Sequence, residues 1–370
     1  MSHQPARPAG VVRLQFARRG RPDLEAGETP RTNLSVLALT GDCLWTASDE
    51  SCALERLRSS DGGATYGEHE TFSLADLFDL PEGASGEVDV EGLNADGDWL
   101  WVTGSMSLKR KKPGRGAGDD DVLDELREVE REANRWLLGR VPCVRGADGA
   151  HRLARSVDVG GGGSLEAACL KFGRRGNALT KALRHDEHIG RFLDVPAKEN
   201  GFDVEGVAAR GGRVFLGLRG PVLRGWATVL ELRLEPRKRG RLRLREAGPG
   251  RAPYCKHFLD LDGLGVRDLL PVGDDLLLLA GPTMDLDGPV RLYRWPGAFG
   301  SRGPALLARD RLERVLDLPH GEACDHAEGV ALAPRPEGGA RLLVAYDKPA
   351  ERRLAGEGGL EIDAFDLDLP

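Results

Sequence analysis

The sequence has no Cys-x-x-Cys pair. Its six cysteines, Cys43, Cys52, Cys143, Cys169, Cys255 and Cys324, are scattered, so their spacing indicates neither a zinc site nor a redox motif, and reduced thiols in a cytosolic protein are the expectation. It also lacks any apolar run long enough to span a bilayer. Met1 to Gly20 carries Arg7, Arg13, Arg18 and Arg19 but not the apolar stretch of a signal peptide. There is no excess of positive charge: 52 Lys and Arg against 59 Asp and Glu leave −7 at pH 7, which offers no global attraction for nucleic acid or an acidic membrane. Any anion site must then be local. Gly-x-Ser-x-Gly elbows, phosphate-binding loops and dinucleotide fingerprints are missing from any strand-to-helix context. Gly160 to Gly163 runs into Ser164 without the Gly-Lys-Ser/Thr ending, so serine-hydrolase and nucleotidase readings fall away.

What the chain does contain is a repeat. Asp89-Val90-Glu91-Gly92-Leu93 returns as Asp203-Val204-Glu205-Gly206-Val207 and, one residue looser, as Asp325-His326-Ala327-Glu328-Gly329-Val330. Each copy opens the same order of apolar segment, Gly or Asp turn, second apolar segment and charged loop, which is one supersecondary unit reused. Leu34 to Ala47 and Val266 to Ala280 keep the rhythm without the acidic opening. The openings fall near positions 35, 91, 205, 267 and 328, in steps of about sixty residues apart from one of double length. In the third unit, Phe202 to Ala208, Val214 to Leu218, Ala227 to Leu234 and Arg241 to Arg245 give four strands in roughly forty residues, the size of a propeller blade.

The expected fold is therefore all-β, a single β-propeller of five blades over residues 1–370. Six blades is the alternative, if Arg140 to Val159 and the glycine-rich region hold a weak one. The last unit is one strand short. Val11 to Phe16 is the natural supplier, so that N-terminal and C-terminal strands pair and close the ring. The double-length step houses an insert, residues 115–190, with helices. Val122, Leu126, Val129, Ala133, Trp136 and Leu137 recur at helical spacing and predict a helix from Asp119 to Leu138 of about four to five turns, with a weaker pattern over Leu165 to Leu183.

In a propeller the first strand of each blade lines the channel, and the loop leaving the second strand opens on the same face. Ser35, Glu91, Glu205, Arg267 and Glu328 are then equivalent inner positions, and strand alternation sends Asp89 with Glu91, and Asp203 with Glu205, to one side. The loops add Asp49, Glu50, Lys109, Arg110, Arg219, Arg224, Asp285, Asp347 and Lys348. Three glutamates around one channel repel unless a cation, a proton or Arg267 compensates. A Ca²⁺ ion held by Asp89, Glu91, Asp203, Glu205, Asp325 and Glu328 is one solution. Arg219, Arg224, Arg267, Lys109 and Lys348 would bind a phosphate or carboxylate, with Glu205 and Glu91 as catalytic candidates and a metal-activated water as nucleophile. The competing reading makes each Glu-Gly a repeat-determined turn whose carboxylate pairs with an arginine of the next blade. The loop arginines are then solvated or blade-linking, Lys109 to Lys112 is a solvated loop and His326 is structural.

Lys198-Glu199-Asn200-Gly201-Phe202-Asp203-Val204-Glu205-Gly206 and Gly217-Leu218-Arg219-Gly220-Pro221-Val222-Leu223-Arg224-Gly225 resemble the most recognisable run of a bacterial family of uncharacterised proteins, the domain-of-unknown-function family numbered 3616. Gly265-Val266-Arg267-Asp268-Leu269, Ala280-Gly281-Pro282-Thr283-Met284 and Asp325-His326-Ala327-Glu328-Gly329 are similar to its other motifs. The resemblance runs from about Asn33 to the C-terminus and implies no established activity. More distantly, the Asp-x-Glu-Gly openings are similar to those of esterase-like phytase propellers, and the inward carboxylates to those of calcium-dependent lactonase and paraoxonase propellers. Arg267 in one acidic position, and the extra residue between Asp325 and Glu328, depart from that pattern. The expectation is a cytoplasmic metal-dependent hydrolase of a small anionic ester, a phosphoester above all. A non-catalytic ligand- or protein-binding propeller and a lactonase are the alternatives. The expected partner is a small anionic ligand or substrate, with no nucleic acid and no membrane.

Overall fold

The structure, a computed structural model, describes residues 5–17, 30–48, 51–114, 118–284, 287–321, 324–335 and 338–369. Asp49, Glu50 and Asp285 of the sequence reading lie outside them. The described chain is mostly β, with three short α-helices. After β1 (Gly10–Gln15), the first sheet runs β2 (Leu34–Thr40), β3 (Cys43–Ser48), β4 (Ala53–Arg58) and β5 (Thr65–Ser73). The second holds β6 (Val90–Asp96), β7 (Trp99–Gly104), β8 (Leu138–Arg145) and β9 (His151–Leu153). The third holds β10 (Asp203–Arg210), β11 (Arg213–Gly220), β12 (Trp226–Arg237), β13 (Arg241–Leu244) and β14 (Cys255–Asp260). The fourth is β15 (Gly265–Val272), β16 (Asp275–Gly281), β17 (Val290–Trp295) and β18 (Glu313–Leu318). The fifth is β19 (His326–Pro334), β20 (Ala340–Asp347) and β21 (Gly359–Leu367). β1 pairs antiparallel with β21, from Gly10 against Ala364 to Gln15 against Gly359, and also touches β5 in parallel.

Local chemistry sets each leading hairpin. β2–β3, β6–β7, β10–β11 and β15–β16 turn on two residues that begin with Gly41, Gly97, Gly211 and Gly273, at φ of 61, 59, 58 and 54°. That positive φ matches the twist of the flanking strands and is cheap only for glycine. The buried apolar side chains gather in five clusters, each between two neighbouring sheets. Alternation along one strand feeds two of them: Leu276 and Leu278 of β16 face the third sheet, Leu277 and Leu279 the fifth. Because both faces are covered, the strand reads as a continuous apolar run.

The innermost strands touch in the order β2, β6, β10, β15, β19, and β19 lies against β2 again. Each of their hairpins slips register at the same place: Leu34/Val36, Val90/Gly92, Val204/Val207, Val266/Asp268 and Ala327/Val330. These five bulges present Ser35, Glu91, Glu205, Arg267 and Glu328, because a bulge re-aims a side chain out of the ladder. The following glycines let adjacent strands close up. A Cβ on Gly206, where φ is 117°, would lie 2.9 Å from the Asp268 Cα, and one on Gly329 would lie 2.8 Å from the Val36 Cα.

Three expectations need correction. The helix expected over Asp119–Leu138 ends early: α1 is Leu74–Leu77, α2 is only Asp119–Arg127, and β8 starts at Leu138. Trp136, Leu137 and Leu138 are buried in the sheets while Leu123, Leu126 and Val129 stay exposed, so sheet packing overrides the helical period. Over Leu165–Leu183 only α3, Ala178–Leu183, is helical. Ser156–Gly160 and Gly163–Glu166 pair with each other as a separate ribbon. In the third sheet Arg241–Leu244 pairs with the far end of β12 and, in parallel, with Ala168–Leu170, while Cys255–Asp260, absent from the sequence reading, pairs with the first half of β12. A twelve-residue strand is long enough to serve two neighbours.

Candidate functional site

The bulge residues of three sheets meet in one ion network. Arg219, at the end of β11, places Nη1 2.8 Å from Glu205 Oε1 and Nη2 2.7 Å from Asp203 Oδ2. Arg267 follows, with Nη1 3.1 Å from Glu205 Oε2 and Nη2 2.6 Å from Glu328 Oε1. Glu205 thus bridges two guanidiniums, and Arg267 bridges two glutamates from adjacent sheets. Glu91, from β6, also acts on both arginines. Three carboxylates, Asp203, Glu205 and Glu328, share two guanidiniums with the charge of Glu91 nearby, so full ionisation would leave an uncompensated charge in the network. Burial accordingly pushes Glu205 up to about 8 against the pull of Arg219 and Arg267, and raises Glu328 against Arg267. Arg267 is held in its charged form by the Glu205 and Glu328 carboxylates, which outweigh its own burial.

Asp268 ties two neighbouring inner strands together beside this network. Its carboxyl oxygens accept the N–H of Val330 on the next inner strand at 2.9 Å and of Leu269 at 2.7 Å, while burial raises its pKa to about 8. The sequence reading missed it. The signal was present, since Asp268 stands where the other openings carry Gly92, Gly206 and Gly329.

Above the network lies a cavity of about 410 Å³. Arg219 and Arg267 form part of its wall with Lys198 and Lys348, and Glu328, Asp287 and Asp347 supply acidic groups. His320, His326 and Cys324 also line it. Two polar atoms in the wall are unspent: Arg219 Nε and Asp347 Oδ1 are buried with no hydrogen-bond partner. The cavity can take a small molecule that offers acceptors to the cationic side and donors to the acidic one. Lys348 stands in the left-handed region, at φ 47°, a conformation a bulky residue rarely holds without local support.

The sequence candidates divide by position. Glu91, Asp203, Glu205, Arg219, Arg267 and Glu328 are brought together, and Lys348 lies on the cavity wall with Glu328. Asp89 is elsewhere, paired with Arg135 at 3.0 Å; Arg135 also contacts Glu87 and, at 2.7 Å, Glu132. Lys109 is 3.4 Å from Glu87 on that same side. Arg224 is exposed at a turn between Leu223 and Trp226 and does not line the cavity. Asp325 lines the cavity, but its carboxylate is engaged by Arg353 at 2.7 Å, Arg352 at 2.5 Å and the Ala350 N–H at 2.6 Å. Burial opposes its ionisation, yet these partners hold its pKa below the ordinary value. Lys198 stood in a quoted motif without a role there, and His320 and Asp287 came from no motif argument, because only the folded loops bring them to the wall.

Ca²⁺ needs six to eight oxygens converging on one point. Here Glu205 spends both carboxylate oxygens on guanidiniums, and Asp203 and Glu328 spend one each. Among the described residues, three or more potential metal-ligating side chains converge within 4.8 Å at Asp42, Cys43 and His151 and at Glu231, Cys255 and His257, not at the inner carboxylates. As arranged, the central residues do not fit a calcium ion. No helix among the described residues is long and apolar enough to cross a membrane.

Residues 33–363 match the family described as "Protein of unknown function (DUF3616)". No curated protein matches the chain. Among solved structures, the glutaminyl cyclase of Myxococcus xanthus is 11% identical, with 97% of this chain and 99% of that one covered and a TM-score of 0.39. An aldose sugar dehydrogenase of Streptomyces coelicolor in its PQQ-bound form is 13% identical, covering 97% and 100%, with a TM-score of 0.35. A xylan β-1,4-xylosidase of Bacillus halodurans is 11% identical over 92% of this chain and 54% of that one, with a TM-score of 0.42.

Proposed function

The chain belongs to the DUF3616 family of proteins of unknown function, and from that premise we propose that it is a five-bladed β-propeller whose mouth captures a small anionic ligand. Five inner strands in mutual contact, five equivalent bulges, five intersheet cores and the pairing of β1 with β21 support the blade count and the closure. The observation that carries the ligand class is the cavity wall itself, where Arg219, Arg267, Lys198 and Lys348 surround a volume suited to a small molecule. The pairing of Arg219 and Arg267 with Glu205 and Glu328 supports a site that needs no metal.

Thermal unfolding with phosphate, pyrophosphate, citrate and sugar phosphates tests this. A ligand at a hundred times its Kd stabilises by about 2.7 kcal/mol, and Lys348→Ala and Lys198→Ala, both at exposed residues, should abolish the shift without altering the unliganded protein. No shift with any anion would sink the reading. Hydrolysis of a small anionic ester is the second reading, favoured by Glu328 at the cavity wall, whose carboxyl burial pushes above its ordinary range against the pull of Arg267, as suits a proton-exchanging group. Turnover of a phosphoester, lost in Glu328→Gln, would support it; turnover of lactones alone would favour a lactonase. Ca²⁺ is the cofactor of the rival mechanism, and calorimetry on chelator-treated protein decides it: tight binding lost in Glu205→Gln would replace the arginine-compensated site with a metal one.

A further inference from the structure

We propose a second, separate site, for a divalent cation of the zinc class, at Asp42, Cys43 and His151. It lies at the end of β2 remote from Ser35, where the Gly41-Asp42 turn of the first sheet meets the start of β9 in the second. The ligand atoms of the three residues lie within 4.8 Å of one another, and Cys43 Sγ is 3.5 Å from Asp42 Oδ1. Sulfur, imidazole nitrogen and carboxylate oxygen are the donor types that bind zinc in three-ligand sites with an open fourth position.

The atoms not needed for coordination are already spent as a metal site requires. Asp42 Oδ2 accepts from Arg58 Nε at 2.7 Å, which orients the carboxylate and leaves Oδ1 toward the thiol. The Nδ1 atom of His151 is buried without a hydrogen-bond partner, so the imidazole keeps a nitrogen free for coordination. The His151 backbone N–H points to Cys43 Sγ at 3.4 Å, a bond that strengthens when the sulfur is a thiolate. Second partners of this kind fix ligand orientation and tautomer. The other convergent triad lacks such an opening: His257 Nδ1 accepts from the Ala305 N–H at 3.1 Å, its Nε2 is 3.2 Å from Glu231 Oε2, and Glu231 is gripped by Arg213 at 2.8 and 2.7 Å.

Arg56, Arg58 and Arg145 face the site, and a bare dication there would be repelled. Binding as proposed displaces the Cys43 thiol proton to solvent and forms the metal–sulfur bond without redox change. Thiolate and Asp42 carboxylate together then cancel the charge of the ion, so the arginines meet a neutral centre. Because Asp42 and Cys43 belong to one sheet and His151 to the next, the ion acts as a staple between them.

Full-length protein, stripped with chelator, is titrated with Zn²⁺ by calorimetry and with Co²⁺ by absorption. The expected result is one equivalent of metal, a thiolate-to-Co²⁺ charge-transfer band, a raised Tm, and a loss of affinity of about 10-fold to 100-fold or more in Asp42→Asn and His151→Ala. His151→Ala is the deciding variant, since His151 is only partly buried whereas Cys43→Ser disturbs a fully buried residue. Absence of the thiolate band, or affinity unchanged in a folded His151→Ala, overturns the proposal.

Discussion

Replacing Arg267 with methionine tests the central network most directly. The guanidinium is 12% exposed and contacts Glu205 at 3.1 Å and Glu328 at 2.6 Å. Methionine keeps the unbranched apolar stem of the side chain but leaves two buried carboxylates without their shared partner. Breaking a buried pair by removing one member costs about 3–5 kcal/mol. With an unfolding entropy of about 2.1 cal/mol/K per residue, 370 residues give roughly 0.8 kcal/mol/K, so Tm should fall by roughly 4–6 °C at pH 8. Protonation relieves unpaired carboxylates, so the deficit should shrink at pH 5, by about 1.4 kcal/mol for each pH unit over which one further proton is bound. Scanning calorimetry at both pH values measures it. Adding Glu205→Gln and Glu328→Gln to Arg267→Met should restore most of the loss. A change under about 1 kcal/mol at pH 8, or no rescue by the glutamines, would refute the claim that Arg267 neutralises the inner ring.

Further outcomes follow from the same geometry. Glu205 has a folded-state pKa of about 8 against an ordinary 4.5; its contribution is fully present below the ordinary value and is lost as pH rises through about 8. Glu205→Gln should therefore flatten the decline in stability across that window by up to about 1.4 kcal/mol per pH unit, and parallel profiles for the two proteins would contradict it. Gly206→Ala should cost at least about 1–3 kcal/mol, because it combines φ 117° with backbone 2.9 Å from the new Cβ; urea unfolding at wild-type concentrations would show that β10 and β15 are not in close contact. Leu14→Ala, at a fully buried residue of β1 between the first and last sheets, should cost about 2–5 kcal/mol. A wild-type midpoint there would mean that β1 does not hold the fifth sheet.

Much of this architecture was written locally. The recurrence of acid, glycine and apolar run marked the openings at Glu91, Glu205 and Glu328, and the rhythm of apolar segments marked those at Ser35 and Arg267; all five are register slips, where a bulge re-aims a side chain out of the ladder. The two-residue glycine turns were equally readable, as was a strand at Val11–Phe16 suited to the incomplete last unit. Helical periodicity misled at Asp119–Leu138, since Trp136 and Leu138 serve a core supplied by β7, β10 and β11 that no window of the insert contains.

The sequence by itself determined the repeat and the residue type at each inner position, since both are properties of short segments. Only the tertiary structure decided which charges meet. Glu205, Arg267 and Glu328 are spaced by about sixty residues, and whether a carboxylate there faces a metal, a proton or a guanidinium depends on how adjacent sheets rotate against one another. For the same reason Asp89 went to Arg135, and Cys43 met His151 across 108 residues. A pattern fixes what a residue can offer; the distances that turn an offer into an ion pair or a ligand set exist only once the sheets are packed.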